Sequence, residues 1–179
     1  VKDTRIITVY ALPIVQAGHD LNACIDAMPI ALNATPAGGS WSGSAGLSGN
    51  SFAPKQVTAN TYKLVYSYTD IHGCINQDDI NFTVNPLPEV KSGDTTYCNT
   101  PGAVTLPNAS PMGGAWMGPG ISNNLFNPVT AGGVNTYTAI YTFTDAKNCS
   151  NNDTIHISVI SPNSVNAGPD GAYCVSETQ

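Results

Sequence analysis

Tyr62, Leu64, Tyr66 and Tyr68 alternate along the chain with Lys63, Val65, Ser67 and Thr69. A period of two places one set of side chains on a single face of a strand, the pattern expected where one face meets a core. The same pattern returns later as Tyr137, Ala139, Tyr141 and Phe143. After a turn from Asp70 to Cys74, Ile80, Phe82 and Val84 alternate with Asn81 and Thr83, so the two runs predict a hairpin. Ile30 and Leu32, with Val104 and Leu106 further on, predict another short strand. The Gly-Gly-x-Trp segments around Trp41 and Trp116, and the neighbourhoods of Phe52 and Phe126, predict two more. Glycine and proline interrupt these runs every eight to twelve residues or so, as in a sandwich of short strands, and no stretch carries a helical period. The expectation is an all-β fold of Ig-like sandwiches, seven or so strands to each.

The pattern is also periodic on a larger scale, which decides the organisation of the chain. Cys24 recurs as Cys98 and again as Cys174, which sets a period of about 75 residues. Cys74 recurs as Cys149 and Trp41 as Trp116 at that same spacing. Gly38-Gly39 matches Gly113-Gly114, the segment from Tyr66 to Asp70 matches Tyr141 to Asp145, and Gly18, Gly93 and Gly168 share the spacing. Residues 13–87 therefore form one repeat and 88–161 a second. Residues 1–12 read as the last strand of a preceding copy, because Ile7 aligns with Phe82 and Ile157, and Val9 with Val84 and Val159. Residues 162–179 restate the opening motif, with Ala167-Gly168-Pro169-Asp170 echoing Ala17-Gly18-His19-Asp20. The opening residues carry no signal-peptide pattern; since they read as mid-repeat, that does not argue for the cytoplasm.

A repeat this small buries little apolar surface, and its cysteines answer that deficit. Sequence alone does not fix their connectivity. Equal spacing within each repeat favours Cys24 with Cys74 and Cys98 with Cys149 over any cross-repeat pairing, leaving Cys174 with a partner beyond Gln179. A loop of about 50 residues closed in this way is worth roughly 4 kcal/mol of chain entropy. Disulfides persist in oxidising surroundings, so an extracellular location is expected. Charged residues are only 10% of the 179, and net charge is −6 with six Lys plus Arg, which leaves no cationic cluster for nucleic acid. No apolar run is long enough to span a membrane as a helix.

The segments from Val15 through Gly18 to Asp20 and Cys24, from Leu32 through Gly38-Gly39 and Trp41 to Gly43, and from Tyr66 through Asp70 to Cys74 together resemble the Ig-like repeats of giant Bacteroidetes surface proteins. These include gliding-motility adhesins related to SprB and other type IX secretion substrates. The Tyr-Thr-Asp-x-x-Gly-Cys ending also looks like that of PKD domains. The resemblance covers the whole chain and implies an exported adhesin stalk at the cell surface, with a part in attachment or gliding. Partners implied are neighbouring repeats of the same chain, surface polysaccharide, and proteins of the gliding or secretion machinery. The second repeat departs at Asn148, where the first has Gly73, and at Met117, where the first has Ser42. Asn tolerates the left-handed turn that Gly supplies, whereas Met117 puts a shared ligand role for its loop in doubt.

Several residues invite a chemical reading. Trp41 and Trp116 could present aromatic platforms to sugars, but identical placement in both copies suits core packing better. Asp20, Asp70, Asp78 and Asp79 offer oxygens to calcium between domains; the competing reading is turn chemistry, which Asp70 and Asp145 suit well. Without dense Asp-x-Asp-x-Asp spacing, no cofactor is expected. His19, His72 and His156 have no counterparts at the repeat spacing, and Asp78 and Asp79, adjacent on a strand, point to opposite faces. No nucleophile, base and orienter stand together, so an enzyme is not expected. Asp94-Thr95-Thr96 and Asp153-Thr154-Ile155 are similar to Bacteroidetes O-glycosylation motifs, making Thr95 and Thr154 candidate sugar acceptors. The sequence thus reads as a structural and interaction protein, a repeat segment of a secreted surface adhesin. The alternative is a carbohydrate-binding or accessory array attached to a secreted hydrolase.

Overall fold

The computed structural model describes residues 3–161. The first repeat forms β1 (Leu21–Cys24), β2 (Ile30–Ala31), β3 (Ser40–Ser42), β4 (Leu47–Ser48), β5 (Ser51–Phe52), β6 (Thr61–Thr69) and β7 (Ile75–Asn85). One sheet runs β1-β7-β6-β3 and the facing one β2-β5-β4. The second repeat forms β8 (Thr95–Cys98), β9 (Val104–Thr105), β10 (Ala115–Met117), β11 (Ile121–Ser122), β12 (Leu125–Phe126), β13 (Asn135–Thr144) and β14 (Ser150–Ile160). Its sheets, β8-β14-β13-β10 and β9-β12-β11, repeat the order strand for strand. The fold is all-β and Ig-like. A 3-10 turn at Pro54–Gln56, and in the second copy a single helical turn at Pro128–Ala131, link the sheets. Asn127 caps that helical turn by accepting from Val129 N and Thr130 N. These turns lack a helical period long enough to be read from sequence.

The predicted hairpins are β6–β7 and β13–β14, and their alternation follows the core. Leu64, Tyr66, Ile80, Phe82 and Val84 are buried while Lys63, Asn81 and Thr61 face out. Phe52 crosses from the facing sheet to lie 4.4 Å from the Phe82 ring. Each large apolar side chain buried in this way contributes about 1.5–3 kcal/mol. In the second repeat Phe126, Tyr137, Ala139, Ile155, Ile157 and Val159 occupy the same places. Gly73 and Asn148 both sit left-handed, at φ +81° and +62°, so the hairpin turn does survive the exchange of Gly for Asn.

β1 and β8 are four-residue strands at the edges of their sheets. β1 lies parallel to β7, in the register Leu21↔Phe82 to Cys24↔Asn85, and β8 lies parallel to β14, from Thr95↔Ile157 to Cys98↔Ile160. Carboxylates align them. Asp78 Oδ2 accepts from Ala17 N at 2.8 Å, and Asp20 Oδ1 accepts from Asn81 N at 2.8 Å. In the second repeat Asp153 accepts from Ser92 N at 2.7 Å and Asp94 from His156 N at 2.8 Å. Each incoming segment is thereby clipped to its central strand at two points.

This register corrects the expected disulfides. Cys24 sits opposite Asn85, at the far end of β7 from Cys74, which immediately precedes that strand. Eleven steps along a strand at about 3.3 Å each separate the two by roughly 35 Å. A disulfide spans a Cα–Cα distance of at most about 7 Å, so Cys24 and Cys74 cannot meet. The register of β8 and β14 separates Cys98 from Cys149 in the same way. The bond formed is instead Cys24–Cys149, with Cα atoms 5.5 Å apart and 125 residues between them in sequence. Cys74 and Cys98 are thiols. Equal spacing within a repeat misled because the two cysteine positions lie at opposite ends of the sandwich.

The contacts follow the bond. Residues 3–88 together with Asp145–Cys149 form one compact unit, and Glu89–Thr144 together with 150–161 form the other. Residues 3–12 take no strand conformation, and Ile6, Ile7 and Val9 are exposed. Tyr10 nevertheless stacks on His72 with ring centroids 3.8 Å apart, and Pro13 O accepts from Asn76 Nδ2 at 2.8 Å. Residues 162–179, including Cys174, lie outside the described residues.

Candidate functional site

Each repeat has a shallow cleft beside its tryptophan. In the first, Trp41 on β3 and Tyr66 on β6 stand opposite each other in the strand register, and their rings meet at 5.2 Å, tilted by 50°. In the second, Trp116 and Tyr141 meet at 5.1 Å and 51°. The Tyr66 hydroxyl donates to Pro36 O and accepts from Gly39 N, both at 2.7 Å. Tyr141 holds Pro111 O and Gly114 N at the same distances. Gly39 and Gly114 are required there, since a Cβ on either would stand 2.4 Å from a β-strand carbonyl and 2.5 Å from the tyrosine ring. The sequence element Gly-Gly-x-Trp is thus a loop strapped to a tyrosine, presenting a half-buried indole.

The first cleft, about 180 Å³, is lined by Asn33, Gly38, Trp41, Asn50 and Tyr66 among others. The second, about 310 Å³, is lined by Asn108, Met112, Gly114, Trp116, Asn124 and Tyr141 among others. Asn124 Oδ1 accepts from Trp116 N at 2.9 Å and so fixes the strand that carries the indole. Both indoles pack on their cores, as the packing reading expects. Both also edge a cleft furnished with amides, the arrangement a sugar ring can use by stacking and hydrogen bonding. Met117 is exposed and does not line the cleft. Sequence reasoning missed Asn50, Asn124 and the tyrosine hydroxyls as parts of this site. Their recurrence at the repeat spacing was the available signal.

The four aspartates considered for calcium are not brought together. Asp70 accepts from His72 N and Cys74 N inside its turn, and Asp79 pairs with Lys63 Nζ at 3.1 Å on the opposite strand face from Asp78. Asp20 and Asp78 hold β1 in place as described. Among the described residues no group of three or more His, Cys, Asp or Glu stands close enough to hold a metal. The backbone N–H of Asn81, and then its side-chain amide, hold the Asp20 carboxyl below its ordinary pKa; Ser92 does the same to Asp153 through its N–H and hydroxyl. His156 Nδ1 lies 3.7 Å from Asp94, His72 stacks on Tyr10, and His19 lines a separate small cavity near Ile80. Thr154 is exposed on β14, and Thr95 is half-buried on the edge strand β8.

No protein-family model matches the chain, and no curated protein matches it. Among solved structures it is similar to Drosophila N-cadherin EC1-4, at 10% identity over 84% of this chain and 50% of that one, with a TM-score of 0.33. Bacteroides ovatus SGBP-B of the mixed-linkage glucan utilization locus, in complex with a mixed-linkage heptasaccharide, matches at 16% identity over 83% of this chain and 46% of that one, with a TM-score of 0.28. Protocadherin gammaB7 EC3-6 matches at 14% identity over 85% and 48%, with a TM-score of 0.30. The chain spans about half the length of these structures. Likeness at such TM-scores carries no inference about what the chain does.

Proposed function

We propose that the chain is a tension-carrying structural segment of an extracellular surface adhesin, a stalk that holds an attachment or gliding function away from the cell and performs no catalysis itself. The observation that carries this reading is the Cys24–Cys149 bond, which closes a loop of 125 residues across two tandem sandwiches. Tension entering near one end passes through the sulfur bridge, bypassing the chain inside that loop. Such a segment keeps its length under load even when a sandwich opens. A disulfide of this kind also favours an oxidising, extracellular setting. Single-molecule stretching of oxidised and reduced chains tests the reading. At about 3.3–3.6 Å per residue, the oxidised chain should reach a contour length roughly 400 Å shorter. Equal contour lengths would overturn it.

A second reading, a carbohydrate-binding array, is favoured by the paired clefts at Trp41 and Trp116. Binding to immobilised glycans that disappears in Trp41→Ala and Trp116→Ala, with folding retained, would support it.

A further inference from the structure

The Cys24–Cys149 disulfide is half of a pattern. Cys24 and Cys98 end equivalent edge strands: Cys24 pairs in register with Asn85 and Cys98 with Ile160, and the next backbone N–H donates to that partner's carbonyl at 2.8 Å in both (Ile25 to Asn85, Asn99 to Ile160). Cys74 and Cys149 close equivalent hairpin turns, each donating its N–H to an Asp Oδ1 at 2.9 Å and accepting from that Asp's N–H at 3.0 Å (Asp70 and Asp145). The observed bond joins a strand-end cysteine of one repeat to the hairpin-turn cysteine of the next. A strand-end thiol at Cys98 and a hairpin-turn thiol at Cys74 remain.

An independent contact shows what reaches the Cys74 turn. Tyr10 stands one repeat spacing before Asn85, the register partner of Cys24. It therefore marks the position beside which a preceding copy's strand-end cysteine would lie, and it stacks on His72, close to Cys74 in the same turn. The chain at the position equivalent to Asn85 is thus already seated on this turn.

We infer that Cys74 and Cys98 are the two open halves of a repeating inter-repeat cross-link, Cys74 taking the strand-end cysteine of the preceding copy and Cys98 the hairpin-turn cysteine of the following one. This rests on the stalk reading only for the existence of further copies in the same polypeptide. Each bond forms by exchange with a disulfide oxidant: one thiolate attacks it, and the second displaces the oxidant's thiol. Two cysteine thiols lose two protons and two electrons, and the oxidant leaves as a dithiol. The bonds overlap along the chain. Cys174 repeats Cys24 and follows soon after Cys149. For every two repeats, the shortest covalent path would then run through only the backbone between Cys149 and Cys174, which makes the array nearly inextensible.

Non-reducing peptide mapping of the protein isolated from its native cells, with thiols trapped by alkylation at lysis, tests this. The expected result is Cys98 bonded to a peptide carrying a hairpin-turn cysteine of another copy, Cys74 bonded to a strand-end cysteine of another copy, and less than a tenth of either alkylated. Alkylated Cys74 and Cys98 beside an intact Cys24–Cys149 bond would overturn the lacing while leaving the single clasp and the stalk reading standing. A Cys24–Cys74 peptide would overturn both the lacing and the register on which it rests. Equal stretching lengths, by contrast, would sink the tension reading without changing this map.

Discussion

The two repeats share one frame and fill it differently. At the centre of the first core stand Leu64 and Phe82; the equivalent positions of the second hold Ala139 and Ile157, all four fully buried. Strand order, register and the two carboxylate clips are nonetheless the same in both. The frame therefore depends on backbone pairing, on the tyrosine-strapped Gly-Gly loop and on the clips, while side-chain volume sets how firmly each copy holds. The second repeat, with two smaller side chains at its centre, should be the weaker.

The largest effect on this comparison comes from the bond that joins the repeats. Cys149→Ser should cost about 5 kcal/mol of chain entropy for a loop of 125 residues, and should turn one thermal transition into two in calorimetry. A single unshifted transition would show that the bond carries no such constraint. Next, Leu64→Ala installs the second repeat's residue in the first. It should cost about 2–5 kcal/mol in chemical denaturation and bring the first repeat's midpoint down towards the second's. An unchanged midpoint would mean core volume does not distinguish the copies.

Tyr66→Phe and Tyr141→Phe each remove a hydroxyl that serves two backbone partners, leaving a part-buried N–H and carbonyl unmet. Each should cost about 1–3 kcal/mol and loosen the indole, read as a red shift in tryptophan emission. The smallest effect is that of pH. The folded-state pKa values of Asp20 and Asp153 are lowered, so their contribution is fully present above the unfolded value of about 4 and is lost as pH falls through the folded one. Melting temperature should drop below about pH 4, and less steeply in a variant carrying both Asp20→Asn and Asp153→Asn. Parallel curves would rule out the clips as the titrating groups.

Much of this was legible in the residues. Alternation at Tyr62–Tyr68 and Ile80–Val84 foretold the hairpin, the repeat spacing foretold a second one, and the turn residue Asn148 behaves like Gly73. In each case the information is local, since a strand with one buried face must alternate and a left-handed turn must carry Gly or Asn. The tryptophan clefts were half legible: Trp41 and Trp116 stood out, but Tyr66 meets Trp41 only across paired strands, and Asn124 reaches Trp116 only from the turn between β11 and β12. The aspartates looked like one candidate set and proved to be separate: Asp20 and Asp78 clip β1, Asp70 shapes its turn, and Asp79 pairs with Lys63.

What the sequence determined by itself was an all-β chain of tandem sandwiches carrying two kinds of cysteine. Which cysteines meet was decided only in three dimensions. The parallel register of β1 on β7 sends Cys24 to the end of the sandwich opposite Cys74. Spacing along a chain measures contour, a disulfide answers to distance in space, and an eleven-residue strand sets the two at odds.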